Sequence, residues 1–249
     1  MKVSIITPAY NCEKEIILTY KSIKKQTYSN FEWIVTDDAS TDKTREILKE
    51  ISKGDSRVII LENKENSGAA IARNKSISYS SGEFIAFIDS DDLWDANKLK
   101  KQVEFMMKHD VDFSFTPYQL ISESGRSLGK KVDSHIKESV SYEDMLRKKA
   151  TMGCSTVILR RSAFSDISMP LIRTGQDYAL WLKLLKSGAQ AYIFPQVLTK
   201  YRILPNSISR NKFKKSLRQW EIYRKIERLP LRVSIECFMF YAFRAVFRK

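Results

Sequence analysis

Three carboxylates crowd the end of an apolar run: Phe84-Ile85-Ala86-Phe87-Ile88 is followed at once by Asp89-Ser90-Asp91-Asp92. The run is short and rich in β-formers, so it reads as a buried strand. Acids at the mouth of such a strand repel one another unless a cation holds them. In an extended chain Asp89 and Asp91 project to the same side, because side chains alternate with period two. Two hard oxygen donors there suit Mn²⁺ or Mg²⁺, which keep several waters and take the rest of their shell from substrate phosphates. A polar turn ahead of the next helix is the plainer alternative.

Other residues have chemistry to offer. Asp38, within Asp37-Asp38-Ala39-Ser40-Thr41-Asp42, follows a second strand-like run. A carboxylate there accepts the N3–H of uracil or thymine, or the N1–H and amino group of guanine. It equally suits an Asx-turn before a helix starting near Lys43. Tyr10 suits stacking on a base, and just as well a half-buried strand end. Arg73, in an Ala-rich helix after Gly68, is a fixed cation for a base or phosphates, or a surface charge. Asp177 follows Thr174-Gly175-Gln176 at a helix start. An acid in the first turn stabilises a helix by about 0.3–1 kcal/mol through the dipole. The same acid can act as a general base toward a hydroxyl.

Residues 1–117 alternate strand-like segments (3–7, 31–36, 58–61, 83–88, 111–116) with helix-like ones (13–26, 43–53, 69–80, 98–109). That alternation predicts a parallel sheet with helices on both faces. Ligands of such sheets sit at the C-terminal strand ends. The clusters Thr7-Pro8-Ala9-Tyr10-Asn11, 37–42 and 89–92 are therefore expected along one edge. Beyond Gln119 the pattern loosens, with strands at 155–159 and 197–203 and a helix at 176–186.

The chain has 249 residues and a formal charge of +14, unevenly placed. Residues 209–249 hold twelve Lys or Arg against three Glu, so +9 falls there and +5 on the rest. Aromatics interleave with the cations, as in helices that lie on an anionic membrane. The aromatics can instead pack on the protein's own core. Cys12, Cys154 and Cys237 are far apart, which predicts free thiols in a reducing compartment. No leader is read at the N-terminus, and no apolar run approaches the roughly 20 residues of a spanning helix. His109 and His135 stand isolated.

The ordered set of residues 4–11, 36–42, Asn66-Ser67-Gly68 with Ala72-Arg73-Asn74, Asp89-Ser90-Asp91-Asp92 with Trp94, Gly175-Gln176-Asp177-Tyr178 with Trp181, and Tyr201-Arg202 with Ser207 resembles the family 2 glycosyltransferases. These are inverting enzymes of the GT-A fold. The resemblance covers roughly residues 2–209. It implies an α/β, Rossmann-like, mostly parallel sheet, with residues 1–208 catalytic: 1–117 for the nucleotide sugar, 118–208 for acceptor and base. Residues 209–249 then form a basic helical tail that associates with a membrane. Thr7, Pro8, Ala9 and Tyr10 would line the nucleoside pocket with Ser40 and Gly68. Asp38 would bind uracil, supported by Arg73. Asp89-Ser90-Asp91 would be the Asp-x-Asp element, with Asp91 the direct ligand of Mn²⁺ (or Mg²⁺) and Asp89 nearer the ribose or sugar. Asp177 would be the catalytic base. Arg202 or Arg210 would neutralise the leaving diphosphate.

The implied donor is a UDP-sugar, UDP-glucose or UDP-galactose first. The implied acceptor is a lipid-linked saccharide of bacterial surface polysaccharide, met on the inner face of the cytoplasmic membrane. Three departures stand out. Ala39 replaces the family's glycine, Gln176 its acid before the base, and Leu204 its histidine near the metal or diphosphate.

A sugar nucleotidyltransferase would want a Gly-rich phosphate loop and a lysine near the start, and residues 7–12 hold neither. No G-x-G-x-x-G follows the first strand, against a dinucleotide oxidoreductase. A basic nucleic-acid protein accounts for the tail but not for acidic strand ends, so nucleic acid is not an expected partner.

Overall fold

The computed structural model describes residues 1–204 and 212–247. Ser207, Arg210, Arg248 and Lys249 lie outside the described residues. The first half runs β1 (Val3–Ala9), α1 (Ile16–Lys24), β2 (Phe31–Asp37), α2 (Thr44–Gly54), β3 (Val58–Glu62), α3 (Ala69–Tyr79), β4 (Phe84–Phe87), β5 (Leu93–Trp94), α4 (Lys98–Lys108) and β6 (Phe113–Phe115). The second half runs β7 (Tyr118–Ile121), β8 (Ser127–Val132), α5 (Tyr142–Leu146), β9 (Ile158–Arg160), α6 (Gln176–Leu185), β10 (Tyr192–Ile193) and β11 (Thr199–Arg202). It ends in α7 (Lys212–Glu221), a π-helical turn at Ile222–Ile226, and α8 (Leu231–Phe247).

The main sheet has seven strands in the order β10-β6-β9-β4-β1-β2-β3. Its pairs are parallel except those of β9, which runs antiparallel between β4 and β6. The alternation of the first half thus becomes the parallel sheet that it predicts. The strand read at 155–159 starts later, because Cys154–Thr156 forms a 3₁₀ turn. Of a second sheet, β5-β11-β7-β8, the sequence pattern marks only β11, within the strand read at 197–203. β5 has only two residues and β8 is exposed almost throughout, so neither carries an apolar period.

Burial rather than capping holds the helices on the sheet. The N-caps of α1, α2, α3 and α4 make no side-chain cap bond. A good cap is worth about 1 kcal/mol. One fully buried Ile or Leu contributes about 1.5–3 kcal/mol, and α1 alone buries Ile16 and Ile23. One core lies on the side of α1, α2 and α4, around Trp33 and Leu99. The other packs Phe87 and Phe113 against Trp181 of α6. The C-terminal segment is part of this second core: Ile222, Tyr223, Leu229 and Cys237 are buried in it. Tyr223 donates to the Leu146 carbonyl at 2.6 Å, and Tyr142 to Glu227 at 2.6 Å. All three cysteines are buried and free.

Lys98 is fully buried at the start of α4. Its Nζ donates to Gln102 Oε1 at 2.8 Å and stands 4.5 Å from the centroid of the Trp94 ring. Burial pushes its ammonium down to about 7 from 10.5, outweighing the ring's preference for a cation. The unfolded chain keeps that proton up to its ordinary pKa. The cost of folding over Lys98 is therefore full below about pH 7 and fades as pH rises toward 10.5. In urea titrations the wild type is expected to gain on Lys98→Met between pH 7 and pH 10. A stability difference that does not vary with pH would refute the buried-lysine assignment.

Candidate active site

β4, β1 and β2 are adjacent and parallel, in a register that pairs Ile6 with Phe87 and Ala9 with Asp37. The three polar clusters therefore share one edge. Asp38 N–H donates to the Ala9 carbonyl at 2.8 Å, and Asn11 N–H to Ser40 Oγ at 3.0 Å. Asn11 Oδ1 accepts Thr41 N–H at 2.8 Å. Both turns need a left-handed residue, Asn11 at φ 46° and Ala39 at φ 61°. Asparagine tolerates this, whereas alanine costs about 1 kcal/mol, the physical reason a glycine suits the position. Tyr10 stands exposed at the strand end, with Pro8 half-buried behind it. Ala9 is buried beneath them.

Thr7 departs from the expectation. Its Oγ1 accepts Trp33 Nε1–H at 2.9 Å, and the residue is fully buried. As the next-but-two residue before Tyr10, it faces the core side of the strand and braces it.

Asp38 is not a free carboxylate. Its Oδ1 accepts Asn63 Nδ2 at 2.7 Å and Ser67 N–H at 3.0 Å, and its Oδ2 accepts Gly68 N–H at 2.7 Å. It thus pins the loop that leads into α3, where Gly68 adopts φ 93°. A carboxylate has about four lone-pair sites, so one is left for a base N–H.

Arg73 is buried in α3 and pairs with Asp89. Burial opposes its charge, but Cys154, Asp89 and Asp177 more than offset this, so its pKa lies above the ordinary arginine value. Its Nε is buried without a partner among the described residues. Cys154 carries the same signature: burial pushes the thiol up, Arg73 pulls it down, and Asp89, Asp177 and Asp92 add to the rise. Asp89 and Asp177 thus act on the same two buried groups. The two halves of the chain also meet directly beside Arg73. Asn74 makes this contact, exchanging hydrogen bonds with the Met169 backbone at 2.7 and 2.9 Å. Arg173 adds a bond to Asn66 Oδ1 at 2.9 Å. Asp177 then opens α6 behind Gly175 (φ 73°), with Tyr178 N–H donating to its Oδ1 at 2.8 Å.

The acidic run does not continue β4. Asp92 N–H donates to the Asp89 carbonyl at 3.2 Å, so residues 89–92 form a turn. The alternation argument for Asp89 and Asp91 therefore fails, although the turn still brings their charges together. Burial and then Asp89 push the Asp91 carboxyl up to about 7, against the pull of Arg202. Asp92 is fully buried and is also raised, by burial and then by Asp91 and Asp89. It serves the fold, accepting Arg202 N–H at 2.9 Å and the Ser155 hydroxyl. Ser90 contributes its carbonyl to Thr19 Oγ1 at 2.9 Å.

Arg202 is also reassigned. Its Nε donates to the Asp91 carbonyl at 2.8 Å, and Nη1 to the Glu123 carbonyl at 2.6 Å. Backbone carbonyls from two loops hold it as a strut behind the acidic turn. Its buried Nη2 has no partner among the described residues.

Ser155 is the hub beneath the acidic turn. Its Oγ accepts Asp89 N–H at 3.0 Å and donates to Asp92 Oδ2. Its carbonyl accepts Trp94 Nε1–H at 2.8 Å and Thr199 Oγ1–H at 3.2 Å. No sequence signal marks a buried serine of this kind.

The model of the family described as Glycosyl transferase family 2 matches residues 4–168. The chain is a family 2 glycosyltransferase. It is 46% identical over 244 residues to the putative teichuronic acid biosynthesis glycosyltransferase TuaG of Bacillus subtilis (strain 168), covering 98% of this chain and 96% of that protein. It is 41% identical over 230 residues to WfgD of Escherichia coli, named a UDP-Glc:α-D-GlcNAc-diphosphoundecaprenol β-1,3-glucosyltransferase, covering 92% of this chain and 88% of that protein. The S. aureus TarS 1-349 structure in complex with UDP-GlcNAc superposes with a TM-score of 0.77 at 23% identity, over 99% of this chain and 73% of that one. The fold of this glycosyltransferase is accordingly GT-A.

Among the described residues no three His, Cys, Asp or Glu side chains converge as a closed metal cage. The donors that are present still suit a hard divalent ion. Asp91 is a carboxyl driven up by burial and by Asp89, so a cation there relieves both. Such an ion fills the rest of its shell with water and phosphate oxygens.

Ser155→Ala removes both the acceptor of Asp89 N–H and the donor to buried Asp92. The expected loss is about 1–3 kcal/mol of unfolding free energy, read from urea denaturation. Equal midpoints for the two proteins would deny Ser155 this role.

Proposed function

We propose that this glycosyltransferase moves a hexose or N-acetylhexosamine from a UDP-sugar to a hydroxyl of a lipid-linked saccharide, in bacterial surface polysaccharide synthesis. The observation that supports the reading is the packing around α3: Arg73 pairs with Asp89 of the acidic turn, and the adjacent Asn74 holds Met169 of the segment that leads to the Asp177 turn. The printed names of the relatives support the substrate class. WfgD is named for UDP-glucose and a diphosphoundecaprenol acceptor, and it matches most of this chain. UDP-glucose is the first donor to test, with UDP-galactose second.

In this reading the uridine lies over Pro8, Ala9 and Tyr10, beside Ser40 and Gly68, and its N3–H takes the remaining site on Asp38. Arg73 fixes the Asp89 carboxylate near the ribose or sugar. Asp91, with Asp89, would hold Mn²⁺ or Mg²⁺, which when bound supplies positive charge against the departing diphosphate. Arg202 keeps the turn in place rather than touching the donor. Asp177 takes the acceptor hydroxyl's proton as the new bond forms. Tyr178 N–H occupies its Oδ1, which leaves Oδ2 as the accepting oxygen. A single displacement from the face opposite the leaving group inverts the anomeric carbon, so an α-linked donor yields a β-linkage. The lipid-linked acceptor assigns the enzyme to the inner face of the cytoplasmic membrane, peripherally bound through residues 209–249. Among the described residues no helix is long and apolar enough to cross a bilayer.

Asp177→Asn is expected to leave UDP-sugar affinity within about twofold and to lower turnover at least about a hundredfold, the range of general acid–base catalysis. Unchanged turnover would remove Asp177 from the role. Asp91→Ala is expected to abolish Mn²⁺-dependent UDP binding in calorimetry. Binding that persists with its metal dependence intact would move the ion elsewhere.

A further inference from the structure

α8 presents apolar residues on two sides. One side is built into the protein. Ser234 and Cys237 are buried, and Phe238 packs edge-on against Trp220 with centroids 5.5 Å apart. Arg147 bridges to Glu236 at 2.9 Å, and Arg244 donates to the Lys148 carbonyl at 2.8 Å, so the helix is tied down near both ends. The other side carries Leu231, Ile235, Met239 and Phe243 at a strict spacing of four. Their exposures are 54%, 46%, 66% and 61%. Residues four apart stack on one face, so these four make a stripe about 18 Å long. A helix resting on a core normally turns polar residues outward. A continuous exposed apolar stripe marks a surface with a partner.

The surrounding charge identifies that partner. Exposed Arg228 and Arg232 lie at the start of the stripe, and neither forms an ion pair among the described residues. Arg224 is exposed nearby. Apolar side chains to insert and cations beside them match an anionic lipid surface. We infer that α8 is the membrane seat of this enzyme: its stripe enters the headgroup boundary of an anionic bilayer while Arg228 and Arg232 meet lipid phosphates. The inference rests on the reading that the acceptor is lipid-linked.

The seat is joined to the candidate base. Arg218 of α7 donates to Thr174 Oγ1 at 3.2 Å. Ile222 packs so closely on Gly175 that a Cβ there would lie 3.1 Å from its Cδ1. These contacts back the turn from which Asp177 opens α6. Docking of α8 therefore brings the Asp177 turn to the membrane as part of one packed body. A lipid-anchored acceptor can then present its hydroxyl without leaving the bilayer.

The test is flotation of the full chain with phosphatidylcholine vesicles, with and without phosphatidylglycerol, in the absence of any sugar nucleotide. Wild type is expected to float with the anionic vesicles and to be released by salt. The Ile235→Glu, Met239→Glu double variant is expected to lose at least about tenfold of that binding. Arg228→Glu with Arg232→Glu is expected to lose the dependence on phosphatidylglycerol. UDP binding and donor hydrolysis should be unchanged in both, since neither pair touches the site. Overturning results are vesicle binding as strong in the double variant as in wild type, or a wild-type dimer in light scattering that the double variant dissolves and that ignores vesicles. Floating protein that transfers no sugar would count against the proposed reaction alone. An active enzyme that ignores vesicles would count against the seat alone.

Discussion

Negative charge crowded onto one edge of a buried sheet is the constraint that organises this protein. Asp37, Asp38, Asp89, Asp91 and Asp92 all stand at the ends of adjacent strands, and each is stabilised differently. Asp38 spends three of its lone pairs on the loop before α3. Asp89 takes the buried Arg73. Asp92 is carried by the Ser155 hydroxyl and the Arg202 N–H. Asp91 remains, with its carboxyl pushed up by burial and by its neighbour. Asp37 accepts Ser40 N–H at 3.2 Å and lies 3.6 Å from Arg45 Nε. A cation at Asp91 would relieve its burial and the repulsion of Asp89 together.

The same constraint explains the second half of the chain. The 3₁₀ turn at Cys154–Thr156 sits under the acidic turn because Ser155 has to reach both Asp89 and Asp92. β11 returns to the edge so that Arg202 can tie the acidic turn to the β7–β8 hairpin. The segment before α6 is drawn across α3 by the Asn74–Met169 pair, which delivers Asp177. The C-terminal helices then close the far side of that segment, and part of what reads as a tail is core.

Much of this was legible from local pattern. The Rossmann-like half follows from segments whose apolar spacing alternates between two and 3.6, and the strand-end rule puts the three polar clusters on one edge. Of the second sheet only β11 was legible. Leu93–Trp94 has no room for a period, and β8 is too exposed to show one. The roles of individual polar residues were also partly hidden. Thr7 and Arg202 have the right types to touch a ligand, but one braces Trp33 and the other binds carbonyls. Nothing in the spelling of Ser155 distinguishes it from a surface serine.

The order of residues alone determined the family, the parallel α/β half and the identity of the acids, because these depend on short-range periodicity and on motifs read in sequence. Tertiary structure decided which acids are held by donors, which cations are already spent, and that one apolar side of the last helix stays exposed. Those outcomes depend on which groups lose their water together, and burial is a property of residues far apart in the chain.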